Sequence, residues 1–133
     1  MTSVTDDRTG GQLAEDLLQD VGNERMRAAT RLLGAHRGGF WLRRLLAEEA
    51  ELGPLIDRSG SHPSVAWDSV GVLLLSKPGA LNCSRSEMAM LEVAESLVSR
   101  RAVQLGAVVQ VVDESELRLI LRALEEAAHS DAD

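Results

Sequence analysis

Apolar residues recur three and four positions apart along most of this chain, with polar residues between them, the periodicity of helices that bury one face. Leu13, Leu17, Leu18 and Val21 predict a helix over about 12–21, broken by Gly22 and Asn23. Met26, Ala29 and Leu33 predict a second over about 24–34, with Arg27 and Arg31 on its opposite side. Gly38-Gly39 is a turn or hinge signal, after which a third helix over about 40–52 ends at Gly53-Pro54. The segment DRSGSHPS, 57–64, is the clearest loop and divides an N-terminal helical subregion, 12–56, from a C-terminal one, 64–129.

The run VAWDSVGVLLLSK, 65–77, admits either a buried strand or a helix. Pro63 as a first-turn proline, Lys77 near the C-terminus and the stop at Pro78-Gly79 favour a helix, and no convincing partner strand exists elsewhere. Ser84-Arg85-Ser86-Glu87 has the form of a capping box, with hydroxyl and carboxylate each bonding the other residue's amide. Met88, Leu91, Ala94, Leu97 and Val98 continue it as a helix to about 99. Leu105, Val108, Val109 and Val112 predict a short helix over about 103–112, although the valines leave a strand open. Asp113-Glu114-Ser115-Glu116 is a second box and opens a helix over about 114–129. Its expected buried face is Leu117, Ile120, Leu121, Leu124 and Ala128, with Arg118 and Arg122 outside. The expectation is an all-α, single compact domain of six or seven helices joined by short loops, with 1–11 and 130–133 as flexible tails.

Composition supports that expectation. Phe40, Trp41 and Trp67 are the only aromatic residues, and a core of leucine, valine and alanine suits packed helices better than a β-sandwich. With one cysteine there is no internal disulfide and no sign of an oxidising compartment. The polar, acidic start MTSVTDDRTGGQ does not read as a signal peptide, and VGVLLL at 70–75 is too short to span a bilayer. A cytoplasmic location with no membrane association is expected.

Residues 64–129 also resemble small uncharacterised helical proteins of actinobacteria and their phages. The resemblance rests on a tryptophan-bearing helix, then Leu81-Asn82-Cys83-Ser84-Arg85-Ser86-Glu87, then Leu91, Ala94, Ser96 and Leu97, a short helix and an Asp-capped final helix. It covers about half the chain and implies a helical fold, with no activity and no functional residue attached.

Candidate chemistry is sparse. Cys83 sits beside a helix start, where the macrodipole and Arg85 could lower a thiol pKa. A nucleophile also needs a general base, and no local signal brings His36, His62 or His129 to it. Ala89 stands where a phosphatase loop requires arginine, so Cys83 reads as a packing thiol. His62, near Asp57 and Asp68 in sequence, lacks metal-ligand spacing and reads as a loop histidine. The glycine pairs match no nucleotide-binding pattern. The expectation is no enzyme, no metal, no cofactor and no small-molecule substrate.

Charge is more informative. The chain carries a formal net charge of −7, an unfavourable balance for general nucleic-acid binding. Residues 23–46 nevertheless hold Arg25, Arg27, Arg31, Arg37, Arg43 and Arg44 against Glu24 alone, a local charge of +5 that leaves −12 for the remainder. These arginines, with Phe40 and Trp41, are the candidate partner-binding residues, weighed against internal pairing with acids such as Glu48, Glu49 and Glu51. Adjacent helical residues point about 100° apart, so one of Phe40 and Trp41 could be left to anchor a partner, although core packing is favoured because the chain has so few large residues to fill its centre. The function expected is a protein-interaction module (an adaptor, inhibitor or assembly factor) binding a protein partner or a second copy of itself. The alternative is a small nucleic-acid-binding regulator using the same basic segment. A helix-turn-helix in the last three helices is disfavoured, because Glu114, Glu116, Glu125 and Glu126 oppose phosphate.

Overall fold

A computed structural model describes residues 8–48 and 52–132. Among these the fold is all-α, with seven α-helices and one two-residue strand pair. α1 (Gly10–Asp16) starts earlier and ends sooner than its leucine spacing suggests. Thr9 and Gln12 form a capping box that draws Gly10 and Gly11 into the helix, and Leu17 and Leu18 remain buried in the turn that follows. α2 (Glu24–Ala35) is opened by Asn23, whose side-chain oxygen accepts from the amide of Met26 at 3.0 Å.

A turn over His36–Gly38 leads to α3 (Phe40–Ala47). Three successive positive φ values, 47° at Arg37, 65° at Gly38 and 84° at Gly39, reverse the chain. The glycines take this region without penalty, whereas Arg37 does not. α3 ends at Ala47, short of the expected 52, and residues 49–51 lie outside the described part.

β1 (Ile56–Asp57) and β2 (Ser64–Val65) pair antiparallel, Ile56 with Val65 and Asp57 with Ser64, and close the loop expected there into a small hairpin. α4 (Trp67–Ser76) settles the ambiguous run as helix. Pro63 is not in its first turn, since the helix begins four residues later without a side-chain cap. α5 (Arg85–Ser99) carries the expected Ser84–Glu87 box. α6 (Leu105–Val111) confirms the second ambiguous run as helical, and α7 (Glu114–Ala132) is the longest element.

α2 is the central helix, packed against α1, α5 and α7. Its buried face is made of Ala28, Ala29, Leu32, Leu33 and Gly34, small enough in part to let neighbouring backbones come close. Around it lie Trp41, Leu42 and Leu45 of α3, Met90, Leu91 and Ala94 of α5, and Ile120 and Ala123 of α7.

The orientation of α7 differs from the sequence expectation. Glu116, Ile120, Ala123 and Ala127 face inward, while Leu117, Leu121 and Leu124 are 38%, 51% and 44% exposed and Ala128 is exposed too. The apolar arc of this helix is wide enough to present either edge to α2. Two physical terms select the alanine edge. Ala123 and Ala127 permit close approach, and Glu116 finds a buried partner in His36.

Candidate partner-binding surface

The six arginines of the basic segment do not form one continuous positive face. Arg27 Nη1 donates to the carbonyls of Leu18 and Val21 at 3.2 and 2.7 Å, satisfying carbonyls of the turn after α1. Arg31 bridges α1 and α7, with Nε 3.0 Å from Glu15 Oε2 and Nη1 2.9 Å from Glu126 Oε2. Its hydrogen bonds to Glu15 and then Glu126 hold its pKa above the ordinary arginine value. Arg25, half-buried on α2, is engaged as well.

Arg37, Phe40, Arg43 and Arg44 do come together. With Ala47, Glu48 and Asn82 they line an open depression of about 620 Å³ on the outer side of α3. Arg37, 44% exposed, donates from Nη1 to Glu87 Oε2 at 2.9 Å and from Nη2 to Ser86 Oγ at 3.2 Å, and lies 3.3 Å from Glu116 Oε2. Arg44 donates to Glu48 Oε2 at 2.8 Å and to the Asn82 carbonyl at 2.7 Å, and its guanidinium lies 5.4 Å from the ring centroid of Trp41. Arg43 differs from both. Its guanidinium donates to the carbonyls of Gly38, at 2.7 Å, and Arg8, so among the described residues its charge is met by dipoles rather than by a carboxylate.

The two adjacent rings are separated in role. Trp41 is fully buried and donates its indole N–H to the Glu87 carbonyl at 2.8 Å. Phe40 packs edge-on against it at 5.1 Å between centroids and keeps part of its surface open to the depression.

Neither of the other candidates gathers a reactive group. Partial burial, and after it the Glu87 carboxylate, raise the Cys83 thiol above its ordinary pKa, outweighing the opposing pull of Arg44. This is the reverse of what an activated thiolate needs. The Ser84–Glu87 box that opens α5 thus brings a carboxylate next to the thiol. His62 pairs with Asp20, 3.2 Å from Nδ1, rather than with Asp57 or Asp68, and its amide donates to the same residue at 2.9 Å. Asp57 instead accepts from the hydroxyl and amide of Ser59, which hold it below the ordinary aspartate range. Among the described residues no three His, Cys, Asp or Glu side chains converge as metal ligands, and no helix is long and apolar enough to cross a membrane.

Two buried carboxylates went unseen in the sequence. Glu116 contacts His36 and Arg37, as above. Glu95, in the C-terminal half of α5, packs beside Gly71 of α4 and Arg101, where any β-carbon at position 71 would fall 2.7 Å from its Oε2. Glu95 and Arg101 line a groove of about 490 Å³ between α4, α5 and α6, together with Leu74, Met88 and Val108. A glycine in the middle of a helix and a glutamate on an apolar stripe are the local signals that could have found this pair.

Compared with known proteins, the chain matches no family model, no curated protein and no solved structure.

Proposed function

We propose that this protein is a non-enzymatic interaction module, an adaptor, inhibitor or assembly factor, that docks an acidic face of another protein in the α3 depression. The observation that carries this reading is the placement of Arg43. Its cation, met among the described residues by carbonyl dipoles, stands beside the partly open ring of Phe40 and the half-exposed Arg37. A carboxylate arriving from a partner gains a full counter-charge there, and the phenyl ring supplies the apolar contact that aromatic anchors give at interface centres.

A nucleic-acid ligand suits this surface less well. Arg31, Arg37 and Arg44 already share their charge with Glu15, Glu126, Glu87, Glu116 and Glu48, so few cations remain to neutralise phosphates. A cytoplasmic setting and an acidic protein partner belong to the same proposal.

The test is a photo-crosslinking amino acid placed at Phe40 in cells, followed by identification of the crosslinked peptide. The expected product is one partner peptide rich in Asp and Glu. Ala47→Glu adds a negative charge to the depression without removing any bond, and should abolish the crosslink while leaving the helical content unchanged. A crosslink that survives Ala47→Glu would overturn the reading. So would binding to DNA or RNA that weakens steeply with salt.

A further inference from the structure

The solvent-facing edge of α7 has a pattern that its packed edge does not explain. Leu117, Leu121, Leu124 and Ala128 are spaced four, three and four residues apart, the a/d spacing of a coiled-coil seam, and all four are exposed. Isolated exposed leucines are ordinary, but a row of them on one helix edge is a contact surface without a partner among the described residues. We propose that this edge is a homodimer seam, in which α7 packs antiparallel against α7 of a second copy around a two-fold axis.

Charge complementarity selects this occupant. In an antiparallel pair with Leu121 layered against Leu124 of the second copy, Leu117 falls opposite Ala128 of that copy. Arg118 and Glu125 each follow one of the d-position leucines, Leu117 and Leu124, and therefore lie on the same flank of the seam. The two-fold axis sets Arg118 against Glu125 of the second copy, and it does so twice. A parallel pair gives a poorer match: Arg118 would face Asp113 of the second copy, whose carboxylate already accepts from the Ser115 hydroxyl and the Glu116 amide, and Glu125 would face Ile120, which is buried within each copy. Arg118 is free to take up the new contact. Its side chain is 74% exposed, and its present partner is the equally exposed Glu114 one turn away, a type of pair that contributes little. The inward edge of α7 stays on α2 throughout, so association asks for no refolding.

A single helix pair buries less than the roughly 800 Å² per partner of a standard stable interface, which sets the expected dissociation constant at roughly 10–100 µM. The seam lies on a different helix from the α3 depression and stands or falls separately from it. Sedimentation equilibrium on the full chain over that concentration range should show a reversible monomer–dimer equilibrium. Leu121→Asp, an exposed position, should weaken it more than tenfold with an unchanged circular dichroism spectrum. Arg118→Glu should weaken it several-fold, and adding Glu125→Arg to the same chain should restore it, the outcome specific to the antiparallel pairing. A strictly monomeric protein at hundreds of micromolar, a dimer indifferent to Leu121→Asp, or a double charge reversal that fails to rescue would each overturn the proposal.

Discussion

The imidazole of His36 and the carboxylate of Glu116, 80 positions apart, meet at 2.7 Å with 1% and 2% of their side chains exposed. Nε2–H donates to Oε2 of the carboxylate, and the amide of Asp113 donates to Oε1 at 2.9 Å, so one side chain joins the end of α2 to the start of α7. Nδ1 of His36 is buried without a hydrogen-bond partner among the described residues, which makes the single bond to Glu116 the polar anchor of that ring. Removing Glu116 leaves the imidazole buried with no polar partner among the described residues, whereas removing His36 leaves Glu116 the Asp113 amide and Arg37. Glu116→Ala should therefore cost about 3 kcal/mol, and His36→Ala less. The double variant should cost less than the two together, with a coupling of about 1–3 kcal/mol in a urea-denaturation cycle. Strict additivity would show that the contact contributes nothing of its own.

Acid stability should reflect three carboxylates with opposite leanings. Glu87 is held below the ordinary glutamate range, first by the amide of Ser84 and then, against a burial penalty, by the Ser84 side chain and Arg37. Asp113 is lowered too, chiefly by the amide of Glu116 and then by the Ser115 hydroxyl. A group whose folded pKa is depressed stabilises the fold fully above its unfolded pKa and loses that contribution as pH falls through the folded value. Glu92, raised by burial, does the reverse: its charged form burdens the fold at neutral pH, and the burden lifts as pH falls through the raised value. Denaturant midpoints measured from pH 7 downward should thus fall less steeply for Glu87→Gln than for the parent chain. Glu92→Gln should be the more stable protein at pH 7, with its advantage vanishing on acidification. Parallel curves for all three proteins would contradict this assignment.

Backbone contact between α1 and α2 gives a sharper contrast. A β-carbon on Gly10 would lie 2.0 Å from the Gly34 carbonyl oxygen, and one on Gly34 would lie 2.6 Å from the Ala14 β-carbon. Gly11, next in the same helix, has only the Thr9 hydroxyl within 4 Å, at 3.9 Å. Gly10→Ala and Gly34→Ala should each destabilise by about 2–3 kcal/mol or more through overpacking. Gly11→Ala should stabilise by about 0.5–1 kcal/mol through helix propensity. Thermal unfolding of the three variants side by side reads both signs.

These glycines also mark where the sequence was readable and where it was not. Helix positions followed from periodicity and from local devices such as the Ser84–Glu87 box, because both act over a few residues of chain. The Thr9–Gln12 box is equally local and was legible in principle, but its polar, glycine-bearing surroundings read as part of a flexible tail. What periodicity could not supply was the direction each helix faces. α7 offered two apolar edges, and the choice between them depends on His36, a residue far away in sequence. The arginine cluster was likewise visible as a charge excess. Its division into bridging residues (Arg27 and Arg31) and residues at one depression (Arg37, Arg43 and Arg44) depends on which carbonyls and carboxylates the fold brings near. Phe40 and Trp41 read as awkward to bury together; the fold buries Trp41, the one with an N–H to satisfy, and packs Phe40 against the core with part of its surface open.

Two arginines occupy the left-handed backbone region, Arg37 at φ 47° and Arg100 at φ 67°. They should respond to glycine in opposite ways. Arg100 ends α5 in the position where helices favour glycine, and its side chain is exposed. Arg100→Gly relieves about 1 kcal/mol of steric cost and should raise the melting temperature by roughly 3 °C. Arg37→Gly relieves a similar cost but also removes the guanidinium from Glu87, Ser86 and Glu116. Since Glu116 is buried, losing a nearby cation there outweighs the relief, and Arg37→Gly should lower the melting temperature. Arg37→Lys separates the two contributions, because it keeps a charge and the strained backbone while giving up the guanidinium's forked geometry. If Arg37→Gly instead stabilised the protein as Arg100→Gly does, the ion pairs of Arg37 would be bystanders, and the strain at the α2–α3 turn would have no counterweight in this fold.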